Sequence, residues 1–361
     1  MTSRTYLRPT AFVDAPFGLD GRVARLAGTM VWFSAVELIS AGDNDELSSA
    51  LVQVEAIEKA LAGRGAEAER AWANLTAPRA PLALGARTIR LDQPQVVGIL
   101  NVTPDSFSDG GRFAGEAAAA EAGFAMSEAG AAIVDVGGES TRPGARTIWE
   151  MDEIERVLPA IRRLAAGGTA ISIDTRKAAV MEAALGAGAA LVNDVSGLTW
   201  DERSAEVVAK AGCPVVLMHH KGDPATMQDN PRYDRPVLLE VYDWLEERIE
   251  AAVAAGVDRS KIVVDPGIGF GKSVQHNLHL LNGLALLHGL GCPVMLGASR
   301  KRMIGALSGE APADRRLAGS VALALKGADQ GVHLLRVHDV PETVQAVRVW
   351  RGLRDAALTP P

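Results

Sequence analysis

The chain has 361 residues and 37.9 kDa, with 48% hydrophobic and 22% charged residues; it is too long for one small module and too apolar for extensive disorder. A formal charge of −7 and a pI of about 5.6 exclude a general basic field for nucleic acid or an anionic membrane, so any anion must be held by a local pocket. Cys213 and Cys292 stand apart without CxxC spacing, which argues against a disulfide framework or zinc cluster and reads as two buried core thiols.

Met1 to Thr10 lacks the basic-then-apolar order of a signal peptide, and the apolar stretch from Met30 to Ile39 is short and interrupted by Glu37. A soluble, cytoplasmic protein is the expectation. Residues 1–92 hold 10 basic and 11 acidic side chains and carry a helical pattern from Leu47 to Ala62. They read as an N-terminal extension whose role is open: it could cover a barrel bottom, stabilise an oligomer or contact a partner. Ala77 to Pro81, with two prolines, and the segment through Pro94 are expected to link it to a second unit, residues 93–361.

From Val96 onward a unit repeats: a short β-branched run, a polar or glycine-rich segment, then an alanine-rich helical stretch. That alternation predicts parallel strands with crossover helices. The strands are expected at Val96 to Leu100, Ala132 to Val136, Ala170 to Ile173, Ala190 to Val192, Pro214 to Met218, Ile262 to Val264, Pro293 to Leu296 and Val332 to Val337. Eight units in about 265 residues match a (β/α)8 TIM barrel better than a doubly wound sheet. Each run ends in a polar residue: Asn101, Asp135, Asp174, Asn193, His219, Asp265, Ser299 and His338. In a barrel these share the C-terminal rim, where active sites are built, although Asp and Asn at such places also cap helices and start turns.

Two long polar loops follow the first two strands. The first lies within Gly98 to Gly111, reading GILNVTPDSFSDGG, and the second, Asp135 to Gly144, reads DVGGESTRPG. Asp174, Asn193, Asp265 and Lys301 lie at or after four strand ends and together could surround one flat heterocycle, because carboxylates accept, an amide donates and accepts, and an ammonium donates. Asp265 to Ser273, DPGIGFGKS, has Pro266 at the first glycine position of a Walker A motif and Lys272 at the last glycine position of GxGxxG, so both nucleotide motifs are rejected. Its glycines are expected to let the backbone pass close to a ligand or a neighbouring strand. Arg336 and His338 alternate on the last strand, point the same way and can donate to an anion. The adjacent His219 and His220 face opposite directions, which fits rim hydrogen bonding better than metal ligation.

The segments NVTPDSFSDGG, DVGGESTRPG, SIDTRK, VNDVSG, DPGIGFGK, GASRK and RVHDV, in that order over about residues 95–350, closely resemble the dihydropteroate synthases of folate biosynthesis. The resemblance implies a transferase that condenses 6-hydroxymethyl-7,8-dihydropterin diphosphate with 4-aminobenzoate, giving 7,8-dihydropteroate and diphosphate with Mg²⁺ assisting. It implies a pterin site of Asp174, Asn193, Asp265 and Lys301 with Met218 and Phe270 near the ring. Arg336 and His338 would lie around the diphosphate with Asn101 as the Mg²⁺ ligand, and Thr141, Arg142, Pro143 and Ser299 near the aminobenzoate. Asp174, Lys301 and Arg142 are the implied catalytic residues, and a homodimer with small-molecule substrates and no nucleic-acid or membrane partner is the implied assembly. The segment Met218 to Pro224, MHHKGDP, departs from the family's usual His-Met-Gln-Gly, and the extension lies outside the family pattern. A methyltetrahydrofolate-dependent corrinoid methyltransferase and a non-catalytic pterin-binding protein are the competing classes. The first loop and the Ser299-Arg300-Lys301 run argue against the former, and the presence of Asn101, Arg142 and Lys301 against the latter.

Overall fold

The computed structural model describes residues 4–42, 47–102, 111–139, 147–222 and 226–358. The extension opens with β1 (Arg4–Val13), β2 (Ala24–Arg25), β3 (Trp32–Ala41) and β4 (Leu47–Gln53), an antiparallel sheet in which β3 pairs with each of the others. Two helices, α1 (Ile57–Leu61) and α2 (Ala66–Thr76), follow. The helix expected over Leu47 to Ala62 is therefore corrected. Its first half, LSSALVQ, is a strand continuing the hairpin from β3, and only the last turn and a half is helical. Leu51 and Val52 pair with Glu37 and Val36, and strand pairing overrides a helical spacing that a seven-residue segment can mimic.

Ala68, Ala71 and Leu75 of α2 turn one face onto this sheet, where Leu7, Leu26, Val31, Phe33 and Leu38 form a second core; Trp72 meets Phe33 edge-on at 6.0 Å. That core continues into Ala285, Ala328 and Trp350 of the second unit, so the extension is packed onto the outside of the larger fold. Polar contacts reinforce the seam: Asn74 donates to Gly289 O at 2.8 Å, Arg79 to His288 O at 2.8 Å, and Tyr6 Oη to Asp243 at 2.9 Å.

The expected linker is also corrected in part. Within it, β5 (Leu82–Leu84) and β6 (Arg87–Ile89) form a hairpin. Leu82, Leu84, Ile89 and Leu91 are buried against Val97, Ile133, Leu191, Val216, Val263, Met295 and Leu334, so the hairpin seals the floor of the barrel.

The barrel strands are β7 (Gln95–Asn101), β8 (Ile133–Gly137), β9 (Ile171–Asp174), β10 (Leu191–Asp194), β11 (Val215–Met218), β12 (Ile262–Asp265), β13 (Met295–Leu296) and β14 (Leu334–Val337). All eight expected strands are present, each within about two residues of its expected ends. They are parallel in the order β12-β11-β10-β9-β8-β7-β14-β13, and a Val264–Val294 bridge closes the ring. Around them run α3 (Gly111–Glu128), α4 (Glu150–Ala166), α5 (Ala178–Gly186), α6 (Ser204–Ala211), α7 (Val237–Ala254), α8 (Val274–Asn282), α9 (Arg302–Leu307), α10 (Leu317–Ala328) and α11 (Val340–Ala357). Local chemistry sets their ends: Ser273 and His276 form a capping box on α8, and Gly212 ends α6 in the left-handed conformation at φ 59°.

Candidate active site

The strand-end polar residues converge at the C-terminal mouth, as the barrel topology requires. Asp135, Asp174, Asn193 and Asp265 lie at or within two residues of the ends of β8, β9, β10 and β12 and are all at most 6% exposed, while Arg336 reaches them from β14. Arg336 Nε donates to Asp135 Oδ2 at 2.6 Å and its Nη2 to Asp174 Oδ2 at 2.5 Å. Asn193 Nδ2 donates to the same Asp135 oxygen at 3.1 Å, and Ser172 Oγ donates to the other. Asp265 Oδ1 takes the Gly267 N–H at 2.7 Å. Lys301 Nζ rests 4.2 Å from the centre of the Phe270 ring, a cation–π contact at the edge of the same ring of charges.

One atom of this network is left over. Asp174 Oδ1 is buried and has no hydrogen-bond partner among the described residues, a costly state for a carboxylate oxygen unless a ligand supplies a donor. Gly297 contributes space: a Cβ there would sit 3.6 Å from Asp265 Oδ2 and 3.9 Å from Arg336 Cδ, in the room between them.

Burial pushes the Asp174 carboxyl up to about 7 against the pull of Arg336, and it raises Asp265 as well. Burial, then the nearby Arg336, lowers the Lys301 amine to about 8. Burial opposes charge on Arg336 too, yet Asp135 and Asp174 outweigh it and hold the guanidinium protonated. With all groups ionised, Asp135, Asp174 and Asp265 exceed Lys301 and Arg336 by one negative charge.

Beside this ring, Ser299 Oγ accepts the His338 N–H at 3.2 Å and lies 3.1 Å from its Nδ1. Burial and Arg336 lower His338 to about 4, so at neutral pH the ring is uncharged and can offer an anion one N–H. Met218 is buried at the end of β11, and Asn101 is half-buried at the end of β7, paired in register with Gly137. Thr141, Arg142 and Pro143 lie outside the described residues.

The DPGIGFGKS segment behaves as a close-approach loop. A Cβ on Gly267 (φ 65°) would fall 1.8 Å from His219 O, and one on Gly271 (φ 65°) 2.1 Å from Lys221 O. Lys272 points into this loop, with Nζ 2.9 Å from Gly267 O, 3.0 Å from Phe270 O and 2.8 Å from His219 Nδ1. His219 thus serves the loop, and His220 approaches Thr199 Oγ1 at 3.5 Å. Among the described residues no group of three or more His, Cys, Asp or Glu is arranged to hold a metal ion. Cys292 is buried, but Cys213 is only half-buried, a correction to its reading as a core thiol.

Sequence reasoning missed Asp135 as a site residue. It was visible as a strand-end carboxylate heading the second loop, but its three partners come from β9, β10 and β14, which only the closed barrel brings together. A cavity of about 430 Å³ opens at the opposite rim between Ala80–Ala83, Cys213 and Lys261. It lacks a converging polar set, so the chemistry belongs to the mouth.

The family model described as pterin binding enzyme matches residues 97–338, leaving the extension outside. Dihydropteroate synthase of Escherichia coli strain K12 is 45% identical over 263 residues, covering 73% of this chain and 92% of that protein. Among solved structures, Xanthomonas albilineans dihydropteroate synthase with 4-aminobenzoic acid aligns with a TM-score of 0.72 at 47% identity, over 76% of this chain and 98% of that one. The same bacterium's enzyme in complex with 7,8-dihydropteroate aligns with a TM-score of 0.69 at 43% identity, over 76% and 99%.

Proposed function

The chain belongs to the dihydropteroate synthase family of pterin-binding enzymes, and from that premise we propose how its own residues bind the two substrates and drive the reaction. It is a transferase of folate biosynthesis, joining 6-hydroxymethyl-7,8-dihydropterin diphosphate to 4-aminobenzoate with release of diphosphate. The observation that carries the residue assignment is the ring of buried Asp174, Asn193 and Asp265 with part-buried Lys301 and Arg336, in which one Asp174 oxygen lacks a donor.

The pterin binds in that ring. Asp174 and Asp265 accept from its aminopyrimidine N–H groups, Asn193 donates and accepts, Lys301 donates to the carbonyl, and Met218 and Phe270 flank the ring face. Arg336, His338 and Asn101 lie on the diphosphate side. Mg²⁺ fits there as a diphosphate-bound ion, because this hard cation keeps waters and needs few protein oxygens, and Asn101 offers one half-buried amide. When bound, it adds positive charge next to the leaving group.

The methylene carbon loses diphosphate as its C–O bond breaks and cationic character spreads into the electron-rich pterin. No protein nucleophile is required. The one-charge excess of carboxylate over cation lowers the energy of that developing charge, and Asp174 becomes more acidic as the charge grows beside it. Arg336 and the His338 N–H stabilise the departing anion. The neutral arylamine then forms the C–N bond and gives up a proton. Its carboxylate end is held by Ser299 together with Thr141, Arg142 and Pro143, and the loops after the first two strands exclude water that would trap the cation. Because the second site is completed over the first ligand, aminobenzoate binds after pterin diphosphate.

The extension, residues 1–92, supports the barrel and takes no part in chemistry; its shared core with Ala285, Ala328 and Trp350 favours this. The enzyme acts as a homodimer in the cytoplasm, a setting compatible with its two unpaired cysteines. No described helix is long and apolar enough to cross a membrane. The test is detection of 7,8-dihydropteroate and diphosphate by mass spectrometry from the two substrates. Pterin binding without turnover would favour a non-catalytic binder, and methyl transfer from methyltetrahydrofolate to a corrinoid the methyltransferase class.

A further inference from the structure

Arg300 is one of the few non-glycine residues with a left-handed backbone, at φ 55°, and it sits between Ser299 and Lys301. An arginine holds that conformation only where its surroundings over-determine it. Here they do. Its N–H donates to Ser320 Oγ at 2.9 Å and its carbonyl accepts Arg316 Nη1 at 3.0 Å. Its guanidinium clasps Asp339 through two of its nitrogens, with Nε 3.0 Å from Oδ2 and Nη2 closer still to Oδ1. Asp339 follows His338, whose ring pairs with Ser299, so two adjacent residues after β13 are tied to two adjacent residues after β14.

We propose that the Arg300–Asp339 pair is a positioning latch for the reaction, holding the kink that turns Ser299 towards His338 and Lys301 over Phe270. The Arg300 side chain makes its ion pair with Asp339 and not with the polar ring, so it acts through its neighbours. A bidentate guanidinium fixes the relative orientation of two strand ends, which one ammonium cannot do. The inference rests on Lys301 being a pterin ligand.

The test uses the full chain with Asp339→Asn, Arg300→Lys, Arg300→Gly and, as reference, Lys301→Ala. Arg300→Gly accepts φ 55° without strain but loses the clasp, so it carries the test if Asp339→Asn fails to fold. Calorimetric affinity for pterin diphosphate should fall about tenfold or more in Asp339→Asn and Arg300→Gly, and less in Arg300→Lys. The second readout is titration of the Lys301 amine by NMR with 13C-labelled lysine. Burial and Arg336 depress that amine while Asp265 and Asp174 support its charge, giving about 8 in the parent. Released from the mouth, it should titrate nearer the ordinary lysine value. Parent-like affinity in both clasp variants, or lost affinity with the Lys301 titration unmoved, would overturn the latch. Unchanged binding in Lys301→Ala would overturn the reading of Lys301 itself, and the latch with it.

Discussion

Replacing Gly267 by alanine separates two costs that a glycine-rich loop usually mixes. The residue lies at φ 65°, and an added Cβ would fall 1.8 Å from His219 O, a backbone atom that cannot swing aside. A left-handed L-residue costs roughly 1–2 kcal/mol by itself. Relieving the overlap must also pull Gly267 N–H from Asp265 Oδ1, now at 2.7 Å, and Gly267 O from Lys272 Nζ, now at 2.9 Å. Leaving one such buried group unpaired adds about 1–3 kcal/mol. The sum is about 2–5 kcal/mol, with pterin affinity falling because Asp265 loses the donor that orients it. Gly309→Ala is the control: φ is 69° but nothing lies within 4 Å of its Cβ, so only the conformational cost of roughly 1–2 kcal/mol applies. Chemical denaturation gives the stability difference and calorimetry with pterin diphosphate gives the affinity. Equal destabilisation of the two variants, or parent-like pterin binding by Gly267→Ala, would refute the close-approach argument.

The kcat/KM for pterin diphosphate should be bell-shaped, rising as Asp174 ionises near 7 and falling as Lys301 loses its proton near 8; a rising limb that survives in Asp174→Asn would reject the assignment. His288 is fully buried beside the extension and lowered to about 3 by burial and Arg79, so the unfolded chain binds the extra proton first. Stability should fall as pH drops from about 6.5 towards 3, by about 1.4 kcal/mol for each pH unit traversed, and a pH series in which His288→Gln retains the parent's full slope would contradict this. Removing residues 1–79 should lower the melting temperature while leaving both Michaelis constants in place. Removing residues 1–91 should cost more, because Leu82, Leu84, Ile89 and Leu91 leave the barrel floor; steady-state kinetics and thermal melts on both truncations decide it.

The barrel was legible because its evidence is local and repeated: a β-branched run, a polar terminus and an alanine-rich helix recur for each strand. Asp174, Asn193 and Asp265 could be placed on one rim for the same reason, since a parallel closed sheet puts every strand's carboxyl end on the same side. Asp135's hub and the latch at Arg300 were hidden because each depends on partners from non-adjacent segments, and the capture of Lys272 because it depends on how its own loop folds back and on His219. Positive φ at a residue that is not glycine leaves no mark in sequence either. In the extension the error at Leu47 to Gln53 has a plain cause: the strand is an exposed edge whose partner, β3, supplies the pairing, while its own residues carry no alternation of burial. The hairpin at Leu82 to Ile89 was obscured by the prolines in front of it, which signalled a linker but not what followed.

The hairpin under the barrel also governs traffic. With its leucines closing the floor, the barrel interior beneath the polar ring is apolar and filled. A ligand that reaches Asp174 therefore approaches from the strand-end side, not through the floor. A ligand seated against β9 and β12 cannot escape beneath one lodged above it.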